Sequence, residues 1–571
     1  MPLPSPGAVR RFLATSILIA AALIAPRVAV AAEAPIMERW IQGEFSPSTL
    51  TEAERRDELA WFRDAAAPLR GMTIKVATPD AIANDYEARI LTRAFEDITG
   101  ISVDQSMLPE SELSAALIDH LAGRERGFTA MIAPLALEET TDVARGAVDL
   151  AAFMAGEGKA FTNPRLDPAD LAATDPKAPI GRMLPNLLVA DAYWFRRDLF
   201  EDPALAAAFR TRFGYELGVP VNFTAYGDIA AFFTDNPALA SAGVRFGHAA
   251  PRPASPDLPA FFATRFLTLA GAPDALGLRY EGCRPAGAAT ARDGSVDAPV
   301  AAYAVATYRA WLGLAAPEPR PDKPQTIHEQ LLDGTVAQAL SWPTDRAAEF
   351  VRRRDRLHTP DGRALWSVAP QPVGAYHGAE PALADRSTGW LVLSSAGEKE
   401  RQAAWLYAQF TVAKSVTLRK SLIGLAFSRR GDLASEATRA REGDLGDLLA
   451  LYRFMAAGTA KAAPRAVSPG LVAALAPSWS QALTSETTPA LLERIAAEQD
   501  RVLAARAAGA ATDDPCAPLP TPVTDRESWF AKADAGDGAA PRRALANDKP
   551  AGQTRPYAAV LEAWRGAVPA N

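Results

Sequence analysis

The segment PNLLVADAYWFRRDLF, residues 185–200, decides how the chain is expected to fold. Its run from Leu187 to Phe195 is apolar and aromatic apart from one aspartate, as in a strand that is buried on both faces. Pro203 can occupy the first turn of a short helix after it, and Thr224 can cap a second helix. A strand followed by two helices is typical of an α/β layer.

The same alternation of strands and helices extends to both sides of this segment. Strands are predicted at 72–76, 101–103 and 128–133, and helices at 85–98 and 111–121 lie between them. This order predicts βαβ units and a parallel sheet. Two later strands, 336–342 and 365–369, are expected to return to this first sheet. Residues 387–393 are predicted as a further strand, and 398–412 as an amphipathic helix.

The N-terminal residues resemble a bacterial secretory signal. Arg10 and Arg11 precede an apolar run at 12–25, and Ala29-Val30-Ala31 provides the small residues of a cleavage site. The apolar run is too short to span a membrane, so we expect a free periplasmic protein with cleavage near Ala31 and no membrane anchor. The arginine pair leaves both Sec and twin-arginine export open.

Charge and size exclude some classes of protein. The 571 residues carry a formal net charge of −7, and removal of the leader makes the chain more acidic. An acidic protein of this kind has no electrostatic footprint for nucleic acid or an anionic membrane. Its length is sufficient for two or more hydrophobic cores.

The chain has two cysteines, Cys283 and Cys516. In an oxidising compartment an even pair indicates one disulfide, and a thiol or metal pair is the alternative.

Motifs of catalysis are incomplete in this sequence. His328-Glu329 begins like a zinc-protease helix but lacks the second histidine four residues on, and Gly158-Lys159 is followed by alanine where a phosphate loop needs Ser or Thr. We therefore expect no enzyme activity, no metal site and no cofactor. Paired carboxylates of a glycosidase stay open as an alternative, because their spacing is spatial.

A series of motifs carries a resemblance to a known family. In chain order they are Trp40-Ile41 with residues 45–50, and then residues 154–159, 193–196, 214–222, 281–285, 404–410 and 424–427. Together they resemble the long branch of the family 1 extracellular solute-binding proteins, over nearly the whole mature chain. Members of this family serve ABC importers of sugars, sugar alcohols and glycerol.

The resemblance implies a fold and a role. The fold is α/β, with two lobes of the periplasmic-binding-protein type, a central cleft, a hinge and a helix-rich second lobe. The role is the binding of a small polar solute for an inner-membrane ABC permease with a cytoplasmic ATPase, by a monomer; the family also carries a similar cysteine pair. The expected division is signal 1–31, leader segment 32–70, first lobe 71–185 plus 325–385, second lobe 186–324 plus 386–510, and tail 511–571.

A polyol receptor needs carboxylates or amides together with aromatic platforms, at strand ends and on loops that cross between lobes. The residues predicted to bind ligand on this basis are Thr78, Asn84, Asp85, Tyr86, Asn186, Trp194, Trp342, Asp385, Ser387, Trp390 and Arg429. Structural roles compete: Trp194 and Trp390 also suit a core, Asn84 a helix cap, and Tyr86 the first core position of a helix.

Three places depart from the family's pattern: 84–86, 132–136 and 186–188, where polar residues of relatives give way in part to apolar ones. These departures predict a ligand other than glycerol or a simple sugar, either less hydroxylated or more apolar. An alternative role is that of a receptor-like accessory protein that has lost its ligand and acts through a protein partner.

Overall fold

The computed structural model of the protein describes residues 35–125, 127–138, 140–173, 177, 179–272, 274–281, 284–315, 326–377, 383–458, 467–485, 487–508 and 551–568. The predicted signal, both cysteines and residues 511–550 of the predicted tail lie outside these ranges, so the predictions about them stay predictions.

The strands of the described residues are numbered in chain order. They are β1 (Thr73–Pro79), β2 (Ser102–Leu108), β3 (Ala130–Pro134), β4 (Leu184–Leu187), β5 (Ala190–Arg196), β6 (Val219–Pro220), β7 (Arg279–Glu281), β8 (Arg284–Gly287), β9 (Gln338–Pro343), β10 (Trp366–Ala369), β11 (Ala384–Asp385), β12 (Thr388–Val392) and β13 (Thr554–Arg555).

The α-helices are numbered in the same way. They are α1 (Ile36–Gln42), α2 (Glu52–Ala65), α3 (Ile82–Tyr86), α4 (Thr92–Thr99), α5 (Glu110–Leu121), α6 (Thr141–Gly146), α7 (Leu150–Ala155), α8 (Arg197–Phe200), α9 (Pro203–Phe213), α10 (Phe223–Phe233), α11 (Leu258–Phe261), α12 (Leu267–Ala270), α13 (Pro299–Leu312), α14 (Ile327–Leu332), α15 (Ala348–Arg352), α16 (Arg354–Leu357), α17 (Glu398–Thr411), α18 (Lys414–Gly424), α19 (Arg430–Ala434), α20 (Glu436–Arg439), α21 (Glu442–Leu445), α22 (Leu448–Ala456), α23 (Pro469–Leu475), α24 (Ser480–Thr484), α25 (Pro489–Ala508) and α26 (Tyr557–Ala567).

A five-stranded sheet organises the first lobe. Its order is β2-β1-β3-β12-β4, with β1 parallel to β2 and β3, and with β12 antiparallel to β3 and β4. The connections through α3–α4 and through α5 are the βαβ units that the sequence predicts. Ile74 and Val76 on β1 point into the core while Thr73 and Lys75 point outward, which explains the alternating burial of this strand.

The leader segment and α17 cover one face of this sheet. Phe410 on α17 lies edge-on to Phe62 of α2 and Phe95 of α4, with ring centroids 5.3 and 5.4 Å apart, and Phe45 lies at 6.5 Å. All four rings are buried. The predicted helix at 398–412 is therefore present, and its apolar face holds the leader segment against the lobe.

The second lobe is built around β5. This strand pairs antiparallel with β9 along one edge and with β10 and β11 along the other. The pairing differs from the expected division, in which residues 325–385 accompany the first sheet. The same division assigned residues 386–510 to the second lobe, whereas β12 pairs within the first sheet and α17 packs on it. The apolar strands β9 and β10 suit any buried position, so their sequences carry no mark of the sheet to which they belong.

The chain passes from the first sheet to the second within the segment 185–200. The expected single strand from Leu187 to Phe195 is two strands, with β4 in the first sheet and β5 in the second. Leu188 and Val189 make the passage, and both are buried, so the apolar run continues without a break.

Three crossing segments therefore join the lobes: Leu188-Val189, Arg386-Ser387 and residues 425–428 between α18 and α19. They are hydrogen-bonded to each other. The Arg386 N–H donates to the Val189 carbonyl at 2.9 Å, and the Leu188 N–H donates to the Phe427 carbonyl at 2.8 Å. Short paired segments of this kind are where two lobes can rotate relative to each other.

Residues 551–568 complete the second lobe. β13 pairs antiparallel with β6, and α26 packs against α22 with Val560, Leu561 and Trp564 buried. No α-helix among the residues described is long and apolar enough to cross a membrane.

Candidate functional site

A charged cluster lies where the two lobes and a crossing segment meet. Glu110 begins α5 just after β2 ends, and Asp191 is the second residue of β5, opposite Pro343 at the end of β9. Arg386 lies on the crossing segment. In an α/β protein this edge, beyond the carboxyl ends of strands, is where ligands bind.

Two further members come from the second lobe. Arg265 lies on a π-helical turn, Phe262–Phe266, between α11 and α12, and Asp345 lies on the 3₁₀ turn Thr344–Arg346 after β9. π-Helical turns are often found at functional sites. We refer to Glu110, Asp191, Arg265, Asp345 and Arg386 together as the cleft cluster.

Each guanidinium of the cleft cluster contacts two carboxylates. Arg386 Nη2 lies 2.7 Å from Glu110 Oε1, and Arg386 Nε lies 3.6 Å from Asp191 Oδ2. Arg265 Nη2 lies 3.3 Å from the same Glu110 oxygen, and its Nε donates to Asp191 Oδ2 at 3.0 Å. The first lobe's Glu110 is thus tied to the second lobe by way of both arginines.

The cluster has a buried end and an open end. The Asp191 side chain is 1% exposed, whereas that of Glu110 is 66% exposed. Glu110 therefore lies on the solvent-facing side of the cluster, and Asp191 lies on its buried side.

Two carboxylate oxygens of the cluster lack a donor. Within the residues that the structure describes, Asp191 Oδ1 and Asp345 Oδ1 are both buried without a hydrogen-bond partner. Buried polar atoms are nearly always paired, so such atoms mark a place for a donor from outside the protein. A ligand hydroxyl would supply one.

The charges of the cluster follow from its surroundings. Desolvation raises the pKa of Glu110, but the positive charges of Arg265 and Arg386 lower it by more, and the pKa falls to about 2. Burial raises the pKa of Asp345 against the opposing charges of Arg346 and Arg386. Glu110 is therefore an anion at neutral pH. Because two thirds of its surface is open to solvent, water and salt screen its ion pairs.

Asp385 and Ser387 are the predicted residues nearest to the cluster in sequence, since they flank Arg386. The Ser387 N–H donates to Asp385 Oδ1 at 2.8 Å, and Ser387 Oγ accepts from the Val189 N–H at 3.2 Å. Both contacts fix the crossing segments and so position Arg386.

Trp194 and Trp342 come together, but in the second lobe's core. Their rings lie 4.9 Å apart, and Trp194 Nε1 donates to the Trp342 carbonyl at 2.9 Å. Phe350 packs against both rings, and all three side chains are buried. These tryptophans are core residues in this structure, and they offer no exposed platform.

Trp390 and Thr78 lie inside the first lobe. Trp390 Nε1 donates to Thr411 Oγ1 at 2.9 Å, and Thr78 Oγ1 accepts from Gln105 Nε2 at 3.1 Å. Neither Trp390 nor Thr78 has any exposed surface.

Asn84 and Asn186 are brought together by a buried ion pair. Asn84 Nδ2 donates to Glu87 Oε2 at 3.1 Å, and Asn186 Oδ1 accepts from Lys420 Nζ at 2.9 Å. Lys420 in turn pairs with Glu87. The two asparagines thus support an internal network.

The last three predicted residues have partners within the protein. Asp85 Oδ1 lies 2.6 Å from Arg89 Nε on the helix surface, and the Tyr86 hydroxyl donates to Glu44 Oε1 at 3.0 Å. Buried Arg429 donates from Nε to the Val412 carbonyl at 2.7 Å, and its Nη1 lies 3.1 Å from Asp170 Oδ2. In this structure Arg429 fixes the third crossing segment to the first lobe.

Two residues of the cleft cluster that are not among the predicted ligand-binding residues, Asp191 and Arg265, do carry a signal in the sequence. Asp191 interrupts the apolar run of β5, and Arg265 interrupts the apolar run Phe261–Leu269. A charge that stands alone in a buried segment requires a partner, and each of these two is the other's partner.

A separate concavity of about 480 Å³ lies in the second lobe, between residues 253–260 and 472–484. Prolines, alanines and a few hydroxyls line it, and no charged side chain is among its lining residues. Such a wall offers little to orient a polar solute, so the cleft cluster is the better candidate.

Comparison with solved structures places the fold. A ribitol complex of an ABC transporter solute-binding protein from Agrobacterium radiobacter matches with a TM-score of 0.57 and 16% identity, over 76% of this chain and 99% of that one. A D-mannitol complex of such a protein from Agrobacterium vitis matches with a TM-score of 0.52 and 16% identity, over 76% and 99%. A maltotriose-bound maltose/maltodextrin-binding domain from Bdellovibrio bacteriovorus matches with a TM-score of 0.52 and 14% identity, over 77% and 100%.

No protein-family model and no curated protein sequence matches the chain. The structural matches confirm the predicted fold class: this is the two-lobe fold of periplasmic binding proteins. The ribitol and D-mannitol complexes are those of ABC transporter solute-binding proteins, the class that the sequence resemblance indicates.

Proposed function

We propose that the protein is the substrate-binding component of an ABC-type importer for a small polyhydroxy solute, and that the solute binds at the cleft cluster. The observation that carries this proposal is Asp191 Oδ1 at the buried end of the cleft cluster, a carboxylate oxygen to which no group of the described residues donates a hydrogen bond. Hydroxyl groups of glycerol, a sugar alcohol or a sugar are donors that would complete it.

The connection between the lobes supports a mechanism of binding by closure. Glu110 belongs to the first lobe, and Arg265 belongs to the second, so their contact exists only while the lobes are together. Rotation about the three crossing segments would open the cleft, admit the solute, and close over it. The closed form would then deliver the solute to an inner-membrane permease with a cytoplasmic ATPase, with the binding protein acting as a monomer.

The structural neighbours support the class of solute, since those described above are complexes with ribitol, D-mannitol and maltotriose. The charged groups at the cleft support a binding role over that of an accessory protein without ligand. The apolar departures do not argue for an apolar solute, because Ile132, Ala133, Leu187 and Leu188 are buried within strands and a crossing segment.

A periplasmic location follows from the predicted leader, with cleavage near Ala31. N-terminal sequencing of the protein recovered from a periplasmic extract checks it. A new N-terminus within a few residues of Ala31 supports export, and an intact leader on soluble protein contradicts it.

Thermal unfolding in the presence of glycerol, ribitol, D-mannitol, D-tagatose and maltose tests the binding role. A solute at a hundredfold excess over its Kd should raise the free energy of unfolding by about 2.7 kcal/mol. Asp191→Asn should abolish the shift, whereas Asp361→Asn, the same change on an exposed turn, should preserve it. Equal shifts for wild type and Asp191→Asn would place the site elsewhere.

A further inference from the structure

The two arginines of the cleft cluster hold different kinds of partner. Asp191 is buried beside them and belongs, like Arg265, to the second lobe, whereas Glu110 approaches from the first lobe and is mostly exposed. Arg386 lies on a crossing segment that is bonded to Val189, next to β5. Opening of the lobes therefore removes Glu110 and leaves Asp191 in place.

An open cleft would thus present the guanidinium groups of Arg265 and Arg386 to solvent, with Asp191 as their direct ion-pair partner. Asp257 and Asp345 also lie close enough to interact electrostatically with this pair of arginines. Guanidinium groups that face solvent at the edge of a buried site bind carboxylates well, since each offers two parallel N–H donors.

Glu110 itself shows which chemistry fits between the arginines. Its Oε1 atom contacts Nη2 of both, at 2.7 Å from Arg386 and 3.3 Å from Arg265. A carboxylate that arrived from solvent would meet the same two donors. In the same cluster, Asp191 Oδ1 and Asp345 Oδ1 are acceptors that receive no hydrogen bond from the described part of the chain.

We propose, on the basis of the binding role proposed above, that the solute is a polyhydroxy carboxylic acid. Its carboxylate replaces that of Glu110 between Arg265 and Arg386, and its hydroxyls donate to Asp191 Oδ1 and Asp345 Oδ1. Glu110 then acts as an internal competitor that occupies the anion position while the cleft is closed without solute.

Matched pairs of acid and neutral compounds test this in the wild-type protein. Calorimetric titration with D-gluconate against D-glucitol, and with D-galacturonate against D-galactose, compares solutes that differ by one carboxylate. The acid of at least one pair should bind about tenfold more tightly or better, and its affinity should fall as salt is added. A neutral member that binds as tightly as its acid overturns the proposal and leaves the binding role intact. If none of the four compounds binds and the neutral solutes above also fail, both proposals fall.

Two variants separate the roles of the charges. Glu110→Gln removes the competitor and should strengthen binding of the acid several-fold, while Glu112→Gln, an exposed neighbour on the same helix, should leave it unchanged. Arg386→Met should weaken binding of the acid by about a hundredfold and that of the neutral partner by much less. A Glu110→Gln protein that binds the acid more weakly than wild type contradicts the competitor role.

Discussion

Lys420 Nζ lies 2.9 Å from Glu87 Oε1, and neither side chain has any exposed surface. The ammonium also donates to the Asn186 side chain at 2.9 Å and to the Thr411 carbonyl at 2.8 Å, so all three of its protons are used. The pair joins α18, the π-helical turn after α3, and β4. One ion pair thus fixes three elements of the first lobe close to where the chain crosses to the second.

Replacement of Lys420 by methionine tests this pair. The change leaves Glu87 buried without its counter-charge, so the free energy of unfolding should fall by about 3–5 kcal/mol. Urea unfolding measures the loss. A further Glu87→Gln change on the same protein should recover part of it, because the uncompensated charge is gone. The control Lys399→Met, on an exposed lysine of α17, should be nearly neutral; a similar loss there would argue against the pair as the cause.

Because of the buried carboxyl of Asp432, we expect the free energy of unfolding to fall as the pH rises. Burial raises its pKa from 3.8 to about 7, so the folded protein holds this carboxyl protonated over a range in which the unfolded chain has released the proton. The stabilisation is complete below about pH 4 and is lost as the pH rises through 7. Asp432→Asn removes this dependence.

At pH 8 the Asp432→Asn protein should be more stable than wild type by about 1–3 kcal/mol, and the difference should shrink toward pH 4. Unfolding at several pH values measures it. Asp355→Asn, at an exposed position, should show no such trend. A constant difference between Asp432→Asn and wild type at all pH values would contradict the raised pKa.

For His248 we expect the opposite dependence: its contribution to the free energy of unfolding is lost as the pH falls. Burial lowers its pKa from 6.5 to about 4, and its Nε2 atom lies 2.7 Å from the Trp311 carbonyl as a donor. The neutral ring stabilises the fold fully above pH 6.5, and this contribution is lost as the pH falls toward 4, because the unfolded chain takes up the proton first.

His248→Gln should therefore be less stable than wild type at pH 7, with a gap that narrows by about 1.4 kcal/mol per pH unit between pH 6.5 and 4. Urea unfolding of both proteins at each pH measures this difference in the free energy of unfolding. If it stays the same throughout that range, the histidine does not titrate as the structure indicates.

The position of Gly247, next to the backbone of α10, has no room for a side chain. A Cβ atom at this position would lie 1.8 Å from the Ala230 carbonyl oxygen, which is backbone and has no side-chain freedom to give way. Gly247→Ala should lower the melting temperature by several degrees or prevent folding, since backbone must move to relieve the overlap. Gly566→Ala on α26, where a Cβ meets nothing within 4 Å, should be neutral or slightly stabilising. Equal melting temperatures for the two variants would contradict the close approach.

The positions of strands and helices that follow one another closely in the chain could be predicted from the sequence. Strands β1, β2 and β3 with the helices between them, and helix α17, lie within a few residues of their expected positions. Local periodicity carries this information. The passage from β4 to β5 was not visible, because Leu188 and Val189 are as apolar as the strands on either side.

The candidate site was predicted less well, for a physical reason. Glu110 and Arg386 are 276 residues apart, and no local pattern reports a contact at that distance. Predicted aromatic residues such as Trp194 and Trp390 share their apolar character with the core, and the structure buries them there. Asp385 and Ser387 mark the right crossing segment, and the residue between them contributes the charge.

The pairing of β13 with β6 has a consequence for synthesis of the chain. Thr554 Oγ1 donates to the Glu216 carbonyl across 338 residues, and the Tyr557 hydroxyl reaches Asp447 across 110. The surface of α22 that α26 covers therefore stays exposed until nearly all of the polypeptide has left the ribosome. The first lobe also recruits α17 and α18 from beyond residue 397. Neither lobe can therefore complete its native fold until late in translation.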